Sequence, residues 1–209
     1  MTRTFSLDGA AALPHLGLIR AAGADAATFL HGQLTNDVTL LDTGRARLAG
    51  YCSPKGRLLA SFVLWKTSAE EVLLLCSADL LPATLKRLSM FVLRARCKLS
   101  DASAEVQCLG LAGPSAEAWL GADAPPAVWG RVARGDASVV RLPDASGTPR
   151  WLWVAPQGTP VPSLPAIEPA AWRWGEVDSG IATVEAATVD RFVPQMLNYE
   201  LVGGVDFKK

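Results

Sequence analysis

Net charge is absent from this sequence: 20 lysines and arginines face 20 aspartates and glutamates among 209 residues. Such a balance carries no global commitment to nucleic acid or to an anionic membrane, so direct nucleic-acid binding is not expected and any such contact must be local. Long hydrophobic runs are missing as well. The longest, such as residues 72–76, have strand length, whereas a membrane-spanning helix needs about 20 apolar residues. Residues 1–8 hold no apolar leader core behind their arginine, so a cytoplasmic location is expected. Histidine is scarce, with two residues, and the four cysteines form no Cys-x-x-Cys pair. That pattern speaks against a zinc site and against a disulfide framework. Cys76 and Cys97 lie in strand-like runs, where a thiol acts as a small hydrophobe, while Cys52 lies beside a turn, where a reactive thiol is the alternative. No dinucleotide fingerprint, phosphate-binding glycine loop or serine–histidine–acid set is visible.

What is present is an ordinary globular composition, half hydrophobic and 19% charged. The length suits one large or two small domains that bury about 70% of the unfolded chain's surface. Residues 16–21 read as a strand and 24–31 as a short helix with Ala26, Phe29 and Leu30 at helical spacing. Strands are expected at 44–51 and 57–66, joined by the turn chemistry of Cys52-Ser53-Pro54-Lys55-Gly56, and again at 72–76. A helix over 78–91 precedes a strand in which Leu93, Ala95, Cys97 and Leu99 alternate with Arg94, Arg96 and Lys98. This order implies an α+β lobe with helices packed on a largely antiparallel sheet.

A second lobe starts with the same device. Residues 22–30 and 112–120 share alanine, glycine, alanine, an aromatic and leucine at equal offsets, each time after a strand, which makes a duplication plausible. The lobes are divided at 103/104, giving 1–103 and 104–209. Further strands are expected between 128 and 154, broken at Arg134-Gly135-Asp136 and at residues 143–147. Five prolines in residues 156–169 mark a stiff connector rather than packed structure. Pro169 and Gly180 then bracket a helix over 169–179.

That helix carries Glu176 and Asp178 in its last turn, where the macrodipole disfavours acids by about 0.3–1 kcal/mol each. They are either solvated surface acids or acceptors for a ligand with adjacent N–H donors, with a tryptophan stacking on its ring. Asn36 and Asp37 read as a helix-to-strand turn, with ligation the alternative. Lys55 and Arg57 either solubilise a hairpin tip or receive a carboxylate or phosphate. Five cations and no acid occur between Leu80 and Ser100. They are either a phosphate-backbone footprint or the wet side of a helix and strand, and no aromatic platform is expected among them. Gln195 and Asn198 follow a proline and read as local backbone caps.

Four stretches carry a resemblance to a known family. His31-Gly32-Gln33-Leu34-Thr35-Asn36-Asp37, the Lys55-Gly56 turn, and Arg191-Phe192-Val193-Pro194-Gln195-Met196-Leu197-Asn198 with Val205-Asp206-Phe207-Lys208-Lys209 resemble the folate-binding YgfZ family. That family is related to the aminomethyltransferase, or T-protein, of the glycine cleavage system. Its signature continues lysine, glycine, cysteine, aromatic, any residue, glycine, glutamine, glutamate, of which Lys209 is the first lysine. The resemblance implies two pseudo-repeated α+β lobes, without the family's C-terminal barrel, that bind tetrahydrofolate or another reduced folate as a monomer. It implies Trp172 at a folate-contacting tryptophan and Asp178 where relatives hold a pterin-contacting glutamate. Leu16 stands where relatives have a second folate tryptophan, and Asn36, Asp37, Lys55, Arg57, Gln195 and Asn198 fall in matched motifs. The complete protein is then expected to assist iron–sulfur enzymes, including those that modify tRNA. An aminomethyltransferase-like one-carbon transferase and a non-catalytic interaction fragment are the alternatives. The signature cysteine lies outside this sequence, so binding is expected of it and catalysis is not.

Overall fold

The structure is a computed structural model and describes residues 7–209; the stretch read above for a leader lies largely outside the described residues. The chain divides into two compact units. One comprises His15–Ala104 and Ala182–Lys209, the other the described residues up to Pro14 with Glu105–Ile181. Residues 182–209, grouped by the sequence reading with the second lobe, thus pack within the unit that contains the first.

In the unit formed by His15–Ala104 and Ala182–Lys209, β2 (Leu16–Ala22), β3 (Ala46–Cys52), β4 (Leu58–Ser68), β5 (Glu71–Ser77) and β6 (Lys98–Asp101) form an antiparallel sheet of order β3-β4-β5-β2-β6. Helices α1 (Ala26–Gln33) and α2 (Leu81–Ser89) belong to the same unit. Its core gathers Ile19, Leu30, Phe62, Leu64 and Leu74 with Leu81 and Leu88 of α2. Apolar side chains fully buried in this way stabilise by about 1.5–3 kcal/mol each.

In the other unit, β1 (Gly9–Ala12), β7 (Val106–Ala112), β8 (Arg131–Arg134), β9 (Ala137–Ala145) and β10 (Thr148–Pro156) form an antiparallel sheet of order β1-β7-β10-β9-β8. Helices α3 (Gly113–Leu120) and α4 (Pro169–Asp178) complete it. Leu111, Val139, Trp151 and Trp153 centre its core, together with Ala116 and Leu120 of α3.

The two sheets have one topology. Taking β6, β2, β5, β4 and β3 in turn against β1, β7, β10, β9 and β8 superposes the two strand orders, with α1 answering α3 and α2 answering α4. The matching turns have the same cause. Gly23 (φ +132) and Gly113 (φ +77) link the strand to its helix, and an added Cβ would lie 2.1 Å from the Arg96 carbonyl oxygen or 2.5 Å from that of Leu7. Only glycine allows both the dihedral and the approach. The edge strands are exchanged: β1, expected within the first lobe, pairs with β7, and β6, which precedes β7 in sequence as β1 precedes β2, pairs with β2.

Three readings change. The strand foreseen over residues 93–99 starts only at Lys98, because Leu93 faces solvent at 85% exposure and the chain bends until Cys97. Helix α2 is shorter at both ends than the 78–91 foreseen. The proline-rich connector, mostly exposed, is pinned at its far end: Ala10 N donates to the Pro165 carbonyl and Ile167 N to the Ala10 carbonyl, each at 2.8 Å, so residues 165–167 run along β1. Proline lacks an N–H, but the residues between the prolines keep theirs for this pairing.

Candidate functional site

Helix α4 begins with Pro169 in its first turn, which tolerates the missing N–H, and buries Ala171, Trp172 and Gly175 against the sheet. Trp172 is 1% exposed. Its ring covers Gly110 on β7, where an added Cβ would come within 2.4 Å of the ring carbons. The indole Nε1 donates to Glu176 Oε1 at 3.2 Å, one helical turn on. Arg150 of β10, also 1% exposed, lies with its guanidinium carbon 5.2 Å from the Trp172 ring centroid. Its Nε donates to the Pro143 carbonyl at 3.1 Å, and its Nη1 has no hydrogen-bond partner among the described residues. Burial lowers the Arg150 pKa to about 10, opposed by the negative charge of Glu176 and, more weakly, of Asp144 and Asp178. Trp172 is therefore an internal support of α4 rather than a ring open to a ligand.

Asp178 closes α4 and is exposed. Its Oδ2 accepts from Ser146 Oγ at 2.8 Å, and its other oxygen accepts no hydrogen bond among the described residues. Ser146 and Gly147, at φ +47 and +75, make the two-residue β9–β10 turn, the positive pair a tight hairpin demands. The hairpin tip thus holds one edge of the carboxylate and leaves the other for a donor. Trp174, 44% exposed on the same helix, is the partly open ring here. The sequence reading singled out neither Trp174 nor Ser146; the serine gave a signal only as half of a turn dipeptide.

The remaining candidates lie in the other unit. Leu16 opens β2, half-buried, opposite Ser77. Asn36 is buried and saturated: Nδ2 donates to the carbonyls of Leu48 at 2.8 Å and Gly203 at 2.6 Å, and Oδ1 accepts from Asp37 N at 2.8 Å and Arg47 Nη1 at 3.1 Å. Beside it Thr35 Oγ1 donates to the Gly204 carbonyl at 2.6 Å and accepts from Gly50 N at 2.7 Å. Asp37 Oδ1 accepts from Leu40 N and Thr39 Oγ1, both at 2.8 Å, and lies 3.4 Å from His31 Nδ1. Burial works to raise the Asp37 pKa, but these hydrogen bonds and His31 together hold it below the usual range. Lys209 Nζ donates to the carbonyls of His31 and Leu34 at the end of α1, where a cation complements the helix dipole.

The β3–β4 turn meets the same C-terminal segment. Arg57 Nη1 donates to the Arg191 carbonyl at 2.6 Å, Leu58 N to the Phe192 carbonyl at 2.8 Å, and Ser53 Oγ to Asp190 Oδ1 at 3.0 Å. Lys55 is exposed at the tip beside Gly56 (φ +73). Gln195 is exposed in a 3-10 turn, Pro194–Leu197, that ends at Asn198 in the left-handed region (φ +52), which asparagine tolerates. Asn36, Asp37 and Arg57 thus spend hydrogen bonds on the fold itself, while Lys55, Gln195 and Asn198 stand at the surface.

The thiols show no activated nucleophile. Burial pushes Cys52 up, raises Cys97, and takes Cys76 and Cys108 to about 12, the last with help from Glu176. Cys52 packs against Leu58, Leu80 and Val184, so the turn-side thiol is a packing group.

Comparison with known proteins agrees with this architecture. The family described as the GCVT N-terminal domain matches residues 9–126. The tRNA-modifying protein YgfZ of Colwellia psychrerythraea is 26% identical over 205 residues, covering 94% of this chain and 62% of that protein. An aminomethyltransferase of Bacillus cytotoxicus is 30% identical over 106 residues, 51% of this chain and 29% of that protein. The chain thus spans less than two thirds of the length of these curated relatives. The fold is that of glycine cleavage system aminomethyltransferase T from Bartonella henselae, at a TM-score of 0.61 and 22% identity over 82% of this chain and 46% of that one. With the family match running over more than half its length and YgfZ likeness over nearly all of it, the chain belongs to the GCVT N-terminal domain family.

Proposed function

We propose that this chain is the folate-binding body of a YgfZ-like protein and that α4 offers a reduced folate its pterin contact. The observation that carries the reading is the exposed Asp178 carboxylate, with one oxygen held by Ser146 and the other without a partner among the described residues. A pterin ring presents adjacent N–H donors, and a carboxylate fixed at one edge accepts them with charge-assisted strength. The residues present therefore fit the ligand. In this reading Asp178 orients the ring and Trp174 offers it an apolar face. Trp172, Gly110 and Arg150 hold the helix in place beneath. When bound, the folate would supply one-carbon chemistry; the chain's own part is to bind and orient it.

The complete protein, in the same reading, works in the cytoplasm and assists iron–sulfur enzymes, tRNA-modifying ones among them. The likeness to a protein named for tRNA modification over 94% of this chain supports that assignment. An aminomethyltransferase-like activity is the second reading, favoured by the 30% identity to the Bacillus cytotoxicus enzyme. Calorimetric titration with tetrahydrofolate tests the binding. Saturable uptake by the wild type, at least about tenfold weaker in Asp178→Ala, is the expected result, and no uptake by the wild type refutes the reading. A one-carbon transfer assay with a lipoyl-protein partner separates the two activities.

A further inference from the structure

The turn after α2 exposes what the sequence reading did not foresee. Buried Leu81, Thr84 and Leu88 fix the inward face of α2, and past its end Met90, Phe91 and Leu93 lie 58%, 47% and 85% exposed. From there the chain alternates: Ala95, Cys97 and Leu99 pack on the core, so Arg94, Arg96 and Lys98 all face solvent. Lys86 is exposed on α2, and the Arg87 guanidinium carbon lies 5.9 Å from the Phe91 ring centroid. Five cations and an open aromatic ring thus occupy one segment with no acid between Leu80 and Ser100.

The nearby acids leave most of this charge uncompensated. Asp25 takes Arg96, at 3.3 Å between Oδ2 and Nε, and holds its backbone N–H as well. Asp101, at the far end of β6, accepts from Ser103 N. Lys86, Arg87, Arg94 and Lys98 form no ion pair among the described residues. Four free cations, a ring with an arginine beside it, and exposed Met90 and Leu93 combine a backbone-neutralising surface with a stacking platform.

We propose that the segment from Lys86 to Lys98 is a binding surface for single-stranded nucleic acid. Its four free cations neutralise consecutive phosphates and Phe91 stacks a base, with Met90 and Leu93 extending the apolar contact. An acidic polypeptide would meet the charges equally well but has no use for a ring flanked by a guanidinium. A stacked base uses both. The proposal does not depend on folate binding, since every residue it names lies outside α4.

Fluorescence anisotropy of the full chain with a fluorescein-labelled oligouridylate, and in parallel an oligothymidylate, tests it. Saturable binding of either strand is expected, with log affinity falling against log salt at a slope of about −2.8 for four phosphates. Raising salt from about 50 to about 200 mM then weakens binding about 50-fold. Phe91→Ala should weaken it at least about fivefold, the low end of base–aromatic stacking. Lys86→Glu/Arg94→Glu should abolish it, while reversal of exposed Arg45 elsewhere on the unit leaves it unchanged. Thermal unfolding of each variant confirms that it folds. The proposal is overturned by any of three results: no saturable binding of either strand, equal loss in Arg45→Glu, or labelled polyglutamate bound as tightly as the oligonucleotides with Phe91→Ala unaffected.

Discussion

The side-chain amide of Asn36 donates to the Gly203 carbonyl at 2.6 Å, across 167 residues of sequence. With Thr35 Oγ1 on the Gly204 carbonyl and Asp206 N donating to the Thr35 carbonyl at 2.9 Å, it ties the C-terminal segment to the loop after α1. Two stretches that the sequence reading matched separately to one family are thus halves of a single hydrogen-bonded junction. Their likeness to the family is met by a structural role.

Asn36→Ala removes both donors and leaves two carbonyls unpaired inside the unit. A loss of about 1–3 kcal/mol is expected for the unsatisfied groups. Urea unfolding of the variant should show it, and limited proteolysis should cut residues 198–209 faster than in the wild type. An unchanged cleavage rate would mean that the junction does not hold the segment.

Trp172→Ala opens a cavity under α4 and should cost about 3–5 kcal/mol. Gly110→Ala drives a methyl group into the same ring from below, at 2.4 Å, and should cost about 1–3 kcal/mol through overpacking. Both changes act through one contact, so the double variant should cost less than the sum of the two. Additivity in thermal unfolding would show that the ring and the glycine are independent.

The helix with Trp172 and Asp178 was legible because Pro169 and Gly180 punctuate it, and both ends fall where punctuation allows. The duplication was legible from nine residues, and the two identical strand orders extend it well beyond them. The role of Trp172 was not legible, since a tryptophan on an amphipathic helix has the same spacing whether it faces a ligand or a glycine on the neighbouring strand. The strand exchange of β1 and β6 left no local signal, because pairing partners about 80 to 100 residues apart are chosen by the sheet. Arg150 escaped notice for a related reason: its burial follows from the aromatic ring and the carbonyl that cover it, neither of which adjoins it in sequence.

Arg150→Met should leave stability unchanged or raise it, because the substitution keeps the packing on Trp172 and removes the desolvation cost of an incompletely paired guanidinium. Arg150→Ala, by contrast, should destabilise by leaving space beneath the ring. If Arg150→Met unfolds as readily as Arg150→Ala, the guanidinium makes a contact on which the unit depends.

Asp79 couples the C-terminal segment to pH. Its Oδ1 accepts from Ser77 Oγ at 2.7 Å and its Oδ2 from Ala186 N at 2.9 Å, and the Ser77 bond leads in lowering its pKa, with burial opposing. A carboxylate depressed in the fold stabilises above its unfolded pKa of about 3.9 and loses that contribution as pH falls through the lower folded value. Asp79→Asn should therefore be less stable at neutral pH, by under about 1 kcal/mol given the exposure of the group. Its unfolding midpoint should also fall less steeply than that of the wild type below about pH 4. Parallel midpoint curves for the two proteins would remove Asp79 from the account.

The most direct measurement is a tetrahydrofolate titration of wild type, Asp178→Ala and Ser146→Ala, followed by tryptophan fluorescence and calorimetry. Both substituted side chains are exposed, so the variants should fold with unchanged thermal midpoints. Saturable binding by the wild type is expected, at least about tenfold weaker in Asp178→Ala for the loss of a charge-assisted pair and weakened less in Ser146→Ala. Equal affinity in the wild type and Asp178→Ala, or no saturable binding by the wild type, would contradict a folate site on α4.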